Sequence, residues 1–338
     1  MVDLLTVQAL PEDGDWPATI PQLENGWYPT GGPVDAANDA GLLNWPNREL
    51  ARRTRILRDR VDALMVKAGS LTTVGPGGDF GNLTDALAYL SERRPAYAPG
   101  GFVTEVRLLT GYLMAEQVLV AGANLGWLTI TSEAAEVIIS RGALATQMGS
   151  SFPAFGVSDG GVLPRIAALF VMDGTGVATD RVGVYARGTG SASVAPGAGV
   201  KNAGAHGMRA ETGGQIAANG GVFSGAAEYC LYGAGGTRIA ASLADLTNAG
   251  VAGIFATNGA VVHADQAVAT GANTYGVRAI RGATVNAYGV NARRNGAGGA
   301  DSTADFSIDS GGTIIATAGT GGVSTAVNAV SAAGVIYR

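Results

Sequence analysis

Between Gly207 and Tyr288 the chain writes one phrase four times. Gly207-Met208-Arg209-Ala210, followed by Gly213-Gly214-Gln215-Ile216-Ala217-Ala218, is the first copy. Cys230-Leu231-Tyr232-Gly233 with Gly236-Thr237-Arg238-Ile239-Ala240-Ala241 is the second. Gly253-Ile254-Phe255-Ala256 with Gly259-Ala260-Val261-Val262-His263-Ala264, and Gly276-Val277-Arg278-Ala279 with Gly282-Ala283-Thr284-Val285-Asn286-Ala287, complete the set. The anchor glycines fall at 213, 236, 259 and 282, a step of 23 residues without slippage. A fixed period of this size restricts the chain to a stacked architecture, because one copy cannot bury its apolar face alone.

The pattern inside each copy selects the kind of stack. Met208 in, Arg209 out, Ala210 in, then Ile216 in, Ala217 out, Ala218 in is strand alternation around a Gly turn. Helical repeats would need runs of ten or more residues at 3.6 spacing. A third apolar piece follows at Val222-Phe223, Leu246, Val268 and Val290. Three short strands in 23 residues make one coil of a parallel β-helix, and the small inward residues Ala218, Ala241, Ala264 and Ala287 suit a narrow stacked core. The expectation is a mainly β, right-handed parallel β-helix. Roughly ten coils predict a rod about 50 Å long.

Composition excludes several classes. The longest apolar run, Val162 to Met172, is broken by Pro164 and Arg165 and falls short of a membrane span. Met1-Val2-Asp3-Leu4-Leu5 carries no basic start and no long apolar stretch, so no secretory signal is expected. Cys230 is the single cysteine, which leaves no disulfide framework and no Cys-based zinc site. A formal charge of −5 argues against nucleic acid as a partner.

The organisation divides into three. Residues 1–45 are dense in proline and glycine, with no lasting period, and carry Trp16, Trp27 and Trp45; these aromatics either pack locally or dock on a partner. Residues 46–70 predict a helix ended by Gly69, with Leu50, Thr54, Leu57, Val61 and Leu64 spaced 4, 3, 4, 3 as a heptad seam. So short a helix should associate with copies of itself, and Val at a with Leu at d by itself favours a dimer. Its arginines, with Glu49, Asp59 and Asp62, read as solvated faces. Residues 71–338 hold the β-helix. Asn82 caps a short amphipathic helix whose Leu83, Ala86, Leu87 and Leu90 share one face and would plug the open end of the coil. Val106 and Leu128, like Leu108 and Ile130, lie 22 apart, which places the first coil near residue 103.

Gly31-Gly32, Asn47-Arg48-Glu49-Leu50-Ala51-Arg52-Arg53-Thr54 and Leu57-Arg58-Asp59-Arg60-Val61 together resemble the attachment-and-neck segment of tailed-phage fibre and tailspike proteins. Gly77-Gly78-Asp79-Phe80 with its helix is similar to the start of pectate-lyase-like β-helices in tailspikes, and the head spike of gene transfer agents is a related family. The resemblance implies a homotrimer rather than a dimer. It also implies a virion-bound N-terminus, assembly in the bacterial cytoplasm, and a shaft that attaches to host surface polysaccharide.

Such shafts either bind glycans or cut them with paired carboxylates about 5–9.5 Å apart. Glu211, Glu228, Asp245 and Asp265 share no column of the repeat; Asp245 and Asp265 come nearest, three positions out of register. Asp301, Asp305 and Asp309 serve equally well in an end cap. His206 and His263 fall on different sides of the coil, so neither a shared metal site nor any other cofactor is expected. Cys230 stands in a glycine column as a small packing residue. One outward column remains: Arg209, Tyr232, Phe255 and Arg278, with Tyr185 one residue out of register below it. It fits either a glycan-binding ladder, in which arginine pairs with acidic sugars, or a subunit contact; Arg238 and His263 are secondary candidates. The expected function is a non-catalytic adhesin. The alternatives are a polysaccharide depolymerase on the same scaffold, or a spacer carrying a further distal protein.

Overall fold

The computed structural model describes residues 45–66, 69–95, 104–174, 180–293 and 305–338. The chain forms two compact units, Met1–Val66 and Lys67–Arg338.

In the first unit, helix α1 runs Trp45–Leu64. Three residues of the predicted seam are solvent-facing: Leu50 is 55%, Leu57 50% and Val61 48% exposed. The helix stops five residues before Gly69, and Met65–Val66 is already extended. Trp45 opens the helix rather than closing an irregular segment. Trp16 and Trp27 lie outside the described residues.

The second unit is mainly β, with long parallel sheets, an arrangement compatible with a parallel β-helix. Among its described residues, one sheet has eight strands in chain order. They are Val118–Ala121, Phe152–Ser158, Arg181–Arg187, His206–Glu211, Tyr229–Ala234, Ala252–Thr257, Tyr275–Ile280 and Phe306–Asp309. A second sheet stacks Ser191–Ser193, Gln215–Ala217, Arg238–Ala240, Val261–His263, Thr284–Asn286, Gly312–Ile315 and Gly334–Tyr337. Each 23-residue repeat therefore gives one strand to each sheet. The third apolar segment forms single bridges, Gly199↔Val222↔Asp245↔Val268↔Asn291, rather than the strand expected of it. Three backbone bends in so few residues leave that segment too short for a ladder.

The turns account for the anchor glycines. Thr212-Gly213, Asn258-Gly259, Arg281-Gly282 and Ser310-Gly311 each place two successive residues at positive φ. That pair is the signature of a tight primed turn, where the second position suits glycine. Gly259 and Gly282 face open space, so their requirement is conformational. Gly214 is different: a Cβ there would meet the Ala186 carbonyl oxygen at 2.3 Å, so the close approach of the layer below demands glycine.

The core is columnar. Ile216, Ile239, Val262, Val285 and Ile314 stack within the second sheet, and Ala218, Ala241, Ala264, Ala287 and Ala316 stack beside them, all buried. Each buried Ile or Val contributes about 1.5–3 kcal/mol, a gain no repeat could realise alone. Helix α2, Leu83–Ser91, buries Leu83, Ala86, Leu87 and Leu90, and its cap Asn82 accepts from Asp85 N at 2.8 Å. It sits at the start of the long sheet, where Thr84 donates to the Gln117 carbonyl at 3.2 Å.

The ends depart from the expected register. The parallel stack begins at Leu71–Val74, which pairs with Thr104–Leu108, so residue 103 is not the start. Val106 pairs with Ile130, making that step 24 residues rather than 22. Beyond Val277 the step lengthens to 29, and Gly312 rather than Gly311 pairs with Gly334.

Candidate functional site

The outward residues of the long sheet line up by backbone pairing: Leu119, Gly156, Tyr185, Arg209, Tyr232, Phe255, Arg278 and Ser307. Tyr185 is in register with Arg209, because the step between them is 24 residues and absorbs the apparent offset. Strand alternation sends these side chains away from the core.

Tyr185 is nevertheless fully buried, so it cannot stand with the exposed candidates. Its O–H donates to Glu211 Oε2 at 2.6 Å, and burial, then Glu211, raises its pKa. The cover is a strap at residues 146–151. Gln117 holds one end, its Nε2 donating to the Thr146 carbonyl at 2.9 Å. Arg209 holds the other, donating to Ser151 Oγ at 2.6 Å and Ser150 Oγ at 2.9 Å. Gly156 opens a notch for it: a Cβ there would meet Met148 Cε at 2.9 Å.

Above the strap the predicted column acquires a neighbour that the sequence reading missed. His206, Tyr229, Ala252 and Tyr275 pair in sequence three positions earlier on the same strands. They recur at the same 23-residue step as the first column, and that was the available signal. The two columns interlock. His206 stacks on Tyr229 at 5.3 Å and 25°, and on Tyr232 at 5.0 Å and 12°. Phe255 stacks on Tyr229 at 4.7 Å and 21°, and on Tyr232 at 5.7 Å and 17°. Guanidinium groups close both ends. Arg209 lies 5.1 Å from the Tyr232 ring, and Arg278 lies 4.4 Å from Tyr275 and 5.9 Å from Phe255.

Ring faces are thus occupied by other rings or by arginine, and solvent meets rims and hydroxyls. Tyr229, Tyr232, Phe255 and Arg278 are half-buried, while His206 is buried. Burial, then the nearby Arg209 charge, lowers the His206 pKa to about 3. Its Nδ1 has no hydrogen-bond partner, and Glu228 stands 3.9 Å away. Among the described residues the Arg278 guanidinium makes no ion pair or hydrogen bond, whereas that of Arg209 is paired to Glu211.

The remaining candidates are scattered. Arg238 and His263 lie on the second sheet. Asp245 accepts from Thr247 N at 3.1 Å and Oγ1 at 2.7 Å, an ordinary turn role, and Asp265 sits three residues before the bridge partner Val268. Asp305 is buried and accepts from Gly322 N, Asp309 from Ser310, and Asp301 lies outside the described residues. Cys230 is buried in register with Gly207's column, its thiol pushed up to about 12 by burial. On α1, Thr54 returns its hydroxyl to the Leu50 carbonyl at 2.9 Å, and Leu64 is the last helical residue. Among the described residues no group of three or more His, Cys, Asp or Glu is placed to hold a metal ion, and no helix is long and apolar enough to cross a membrane.

Fold and site together define a mainly β repeat protein with a stacked aromatic and guanidinium ladder on its long parallel sheet. No protein-family model and no curated protein matches the chain.

Proposed function

We propose that the chain is the subunit of a virion-type spike that attaches a particle to host surface polysaccharide without cutting it. In this reading the second unit is a right-handed β-helix, the hand that parallel crossovers adopt almost without exception. The exposed Leu50, Leu57 and Val61 seam of α1 forms a coiled-coil neck that makes the spike a homotrimer. Residues 1–45 join it to the head or tail of the particle, and the particle assembles in the cytoplasm. The single observation that supports adhesion most is Arg278: a guanidinium seated on Phe255 and Tyr275 with no carboxylate partner among the described residues. A preorganised, uncompensated guanidinium beside tyrosine hydroxyls suits an acidic, hydroxyl-rich chain.

A second reading rests on the ring faces. Because they are already stacked on one another, the ladder also suits a contact between subunits, with rims rather than faces meeting the partner. One experiment separates the two. Purified protein is incubated with host capsular polysaccharide, and retention, glycan chain length and oligomeric mass are followed for wild type and an Arg278→Ala/Tyr232→Ala variant. Retention without shortening, lost in a variant of unchanged mass, supports the adhesive ladder. A change of mass assigns the ladder to the subunit contact. Shortened chains overturn the non-cutting adhesin, and no retention by wild type removes adhesion altogether.

A further inference from the structure

Beside the ladder, along the turns that leave the long sheet, the strap divides a groove. Two abutting clefts of about 680 Å³ and about 600 Å³ share Gly149, Arg187 and Thr212. One continues past Glu211 and Gly235 to Asn258, the other past Ser158 and Asp159 to Leu119. From Ser158 to Asn258 the groove crosses five layers, about 19 Å at the strand spacing. That length suits an extended oligomer rather than a single small molecule.

The polar groups in it are arranged unevenly. Glu211 is already neutralised, taking the Tyr185 hydroxyl on one oxygen and the Arg209 guanidinium on the other. Asp159 accepts the Ser158 hydroxyl at 2.9 Å in the far cleft. The Arg187 side chain, exposed where the clefts meet, makes no hydrogen bond or ion pair among the described residues. The strand pairing Tyr185↔Arg209 and Arg187↔Glu211 fixes its backbone rigidly.

Resting on the polysaccharide-binding reading above, we infer that this groove is a saccharide subsite in which Arg187 receives the carboxylate of a uronic-acid residue. Glu211, Asp159, Ser150 and Asn258 then meet hydroxyls of the flanking sugars. A fork-shaped donor borne by a paired strand at the centre of a hydroxyl-matching groove recognises one carboxylate per few residues, not a dense charge. The ladder's Arg278 lies four strands further along the same sheet.

The test uses the full chain and fluorescent oligomers of polygalacturonate, alginate and hyaluronate, with carboxyl-reduced polygalacturonate and dextran sulfate as controls. Wild type is expected to bind at least one carboxylated oligomer and neither control. Arg187→Ala should weaken that binding about tenfold to a hundredfold, and Arg187→Lys should recover little of it. Unchanged binding by Arg187→Ala, or equal binding of the carboxyl-reduced oligomer or dextran sulfate, overturns the subsite while leaving surface adhesion standing. No binding of these oligomers by a wild type that still retains host polysaccharide also overturns the subsite alone. No retention of either overturns both.

Discussion

Replacing Phe255 by Leu removes a ring from the middle of the ladder while keeping most of its apolar bulk. Two stacked partners are lost, Tyr229 at 4.7 Å and Tyr232 at 5.7 Å, together with the Arg278 contact at 5.9 Å. Aromatic pairs are worth about 0.5–1.5 kcal/mol beyond burial, and a half-exposed guanidinium contact about 0.5–1 kcal/mol. Because the terms share one ring they do not add fully, and a loss of about 2 kcal/mol is expected. Urea unfolding gives the total, and hydrogen exchange of the peptide carrying Ala252–Thr257 places the loss, since stacked repeats open locally. The sharper measurement is a double-mutant cycle. Phe255→Leu with Tyr229→Leu should show a coupling of about 0.5–1.5 kcal/mol, because the rings touch. Phe255→Leu with Tyr185→Phe should be additive, since three layers separate those residues and the strap shields the second. A zero coupling in the first cycle would refute the interlocked ladder, whatever the size of the single-mutant losses.

Other consequences follow from the same geometry. Leu243 sits at φ +60 and is 63% exposed; left-handed backbone costs a side chain about 1–2 kcal/mol, so Leu243→Gly should raise the unfolding free energy by about 0.5–1 kcal/mol after glycine's entropy cost, read as a higher urea midpoint. His206 is held neutral with a lowered pKa of about 3 against an ordinary value near 6.5. Its neutral burial therefore supports the fold fully above pH 6.5, and that support falls by up to about 1.4 kcal/mol per pH unit as acid approaches 3. His206→Phe, which keeps a stacking ring, should flatten the stability profile between pH 6.5 and 3. Glu105 is lowered by Arg107, then Thr131, so its contribution is present above the ordinary glutamate range and lost as pH falls through its own lowered value; Glu105→Gln should blunt the acid limb there. In the spike reading, Leu57→Asp should convert a trimer to monomers in sedimentation, and an unchanged mass would remove the neck.

What was legible in the sequence is what repeats. The 23-residue step gave the strands of both principal sheets because each layer solves the same packing problem with the same residue classes, Ile or Val beside Ala. Helix α2 was legible from Asn82 and four apolar residues, since capping and amphipathicity are local. The strap was not. It belongs to a non-repeating stretch, and its place is fixed by Arg209 reaching Ser150 and Ser151, residues some sixty positions away. The burial of Tyr185 depends on that contact and was equally hidden. Register shifts at the ends escaped because steps of 24 and 29 residues arise where insertions leave the strands paired but break the period.

The self-stacking of the ladder narrows what its residues can do. A ring whose faces meet other rings at 4.7–5.7 Å has no face left for a sugar, so Tyr229, Tyr232 and Phe255 supply rigidity and rims. Recognition then falls to groups that stacking leaves free, namely the tyrosine hydroxyls and the guanidinium groups. Those guanidinium groups are not equivalent. Arg209 is spent on Glu211 and the strap, Arg278 caps the ladder with no carboxylate partner among the described residues, and Arg187 stands exposed at the groove beside the strap. Substituting all three in turn should therefore yield three phenotypes. Arg209→Ala should loosen the strap and raise the exchange of Tyr185's peptide. Arg278→Ala should weaken retention on acidic surface polysaccharide, and Arg187→Ala should weaken short uronate oligomers selectively. One shared phenotype for all three would mean that the long sheet presents a diffuse basic face instead of separate sites.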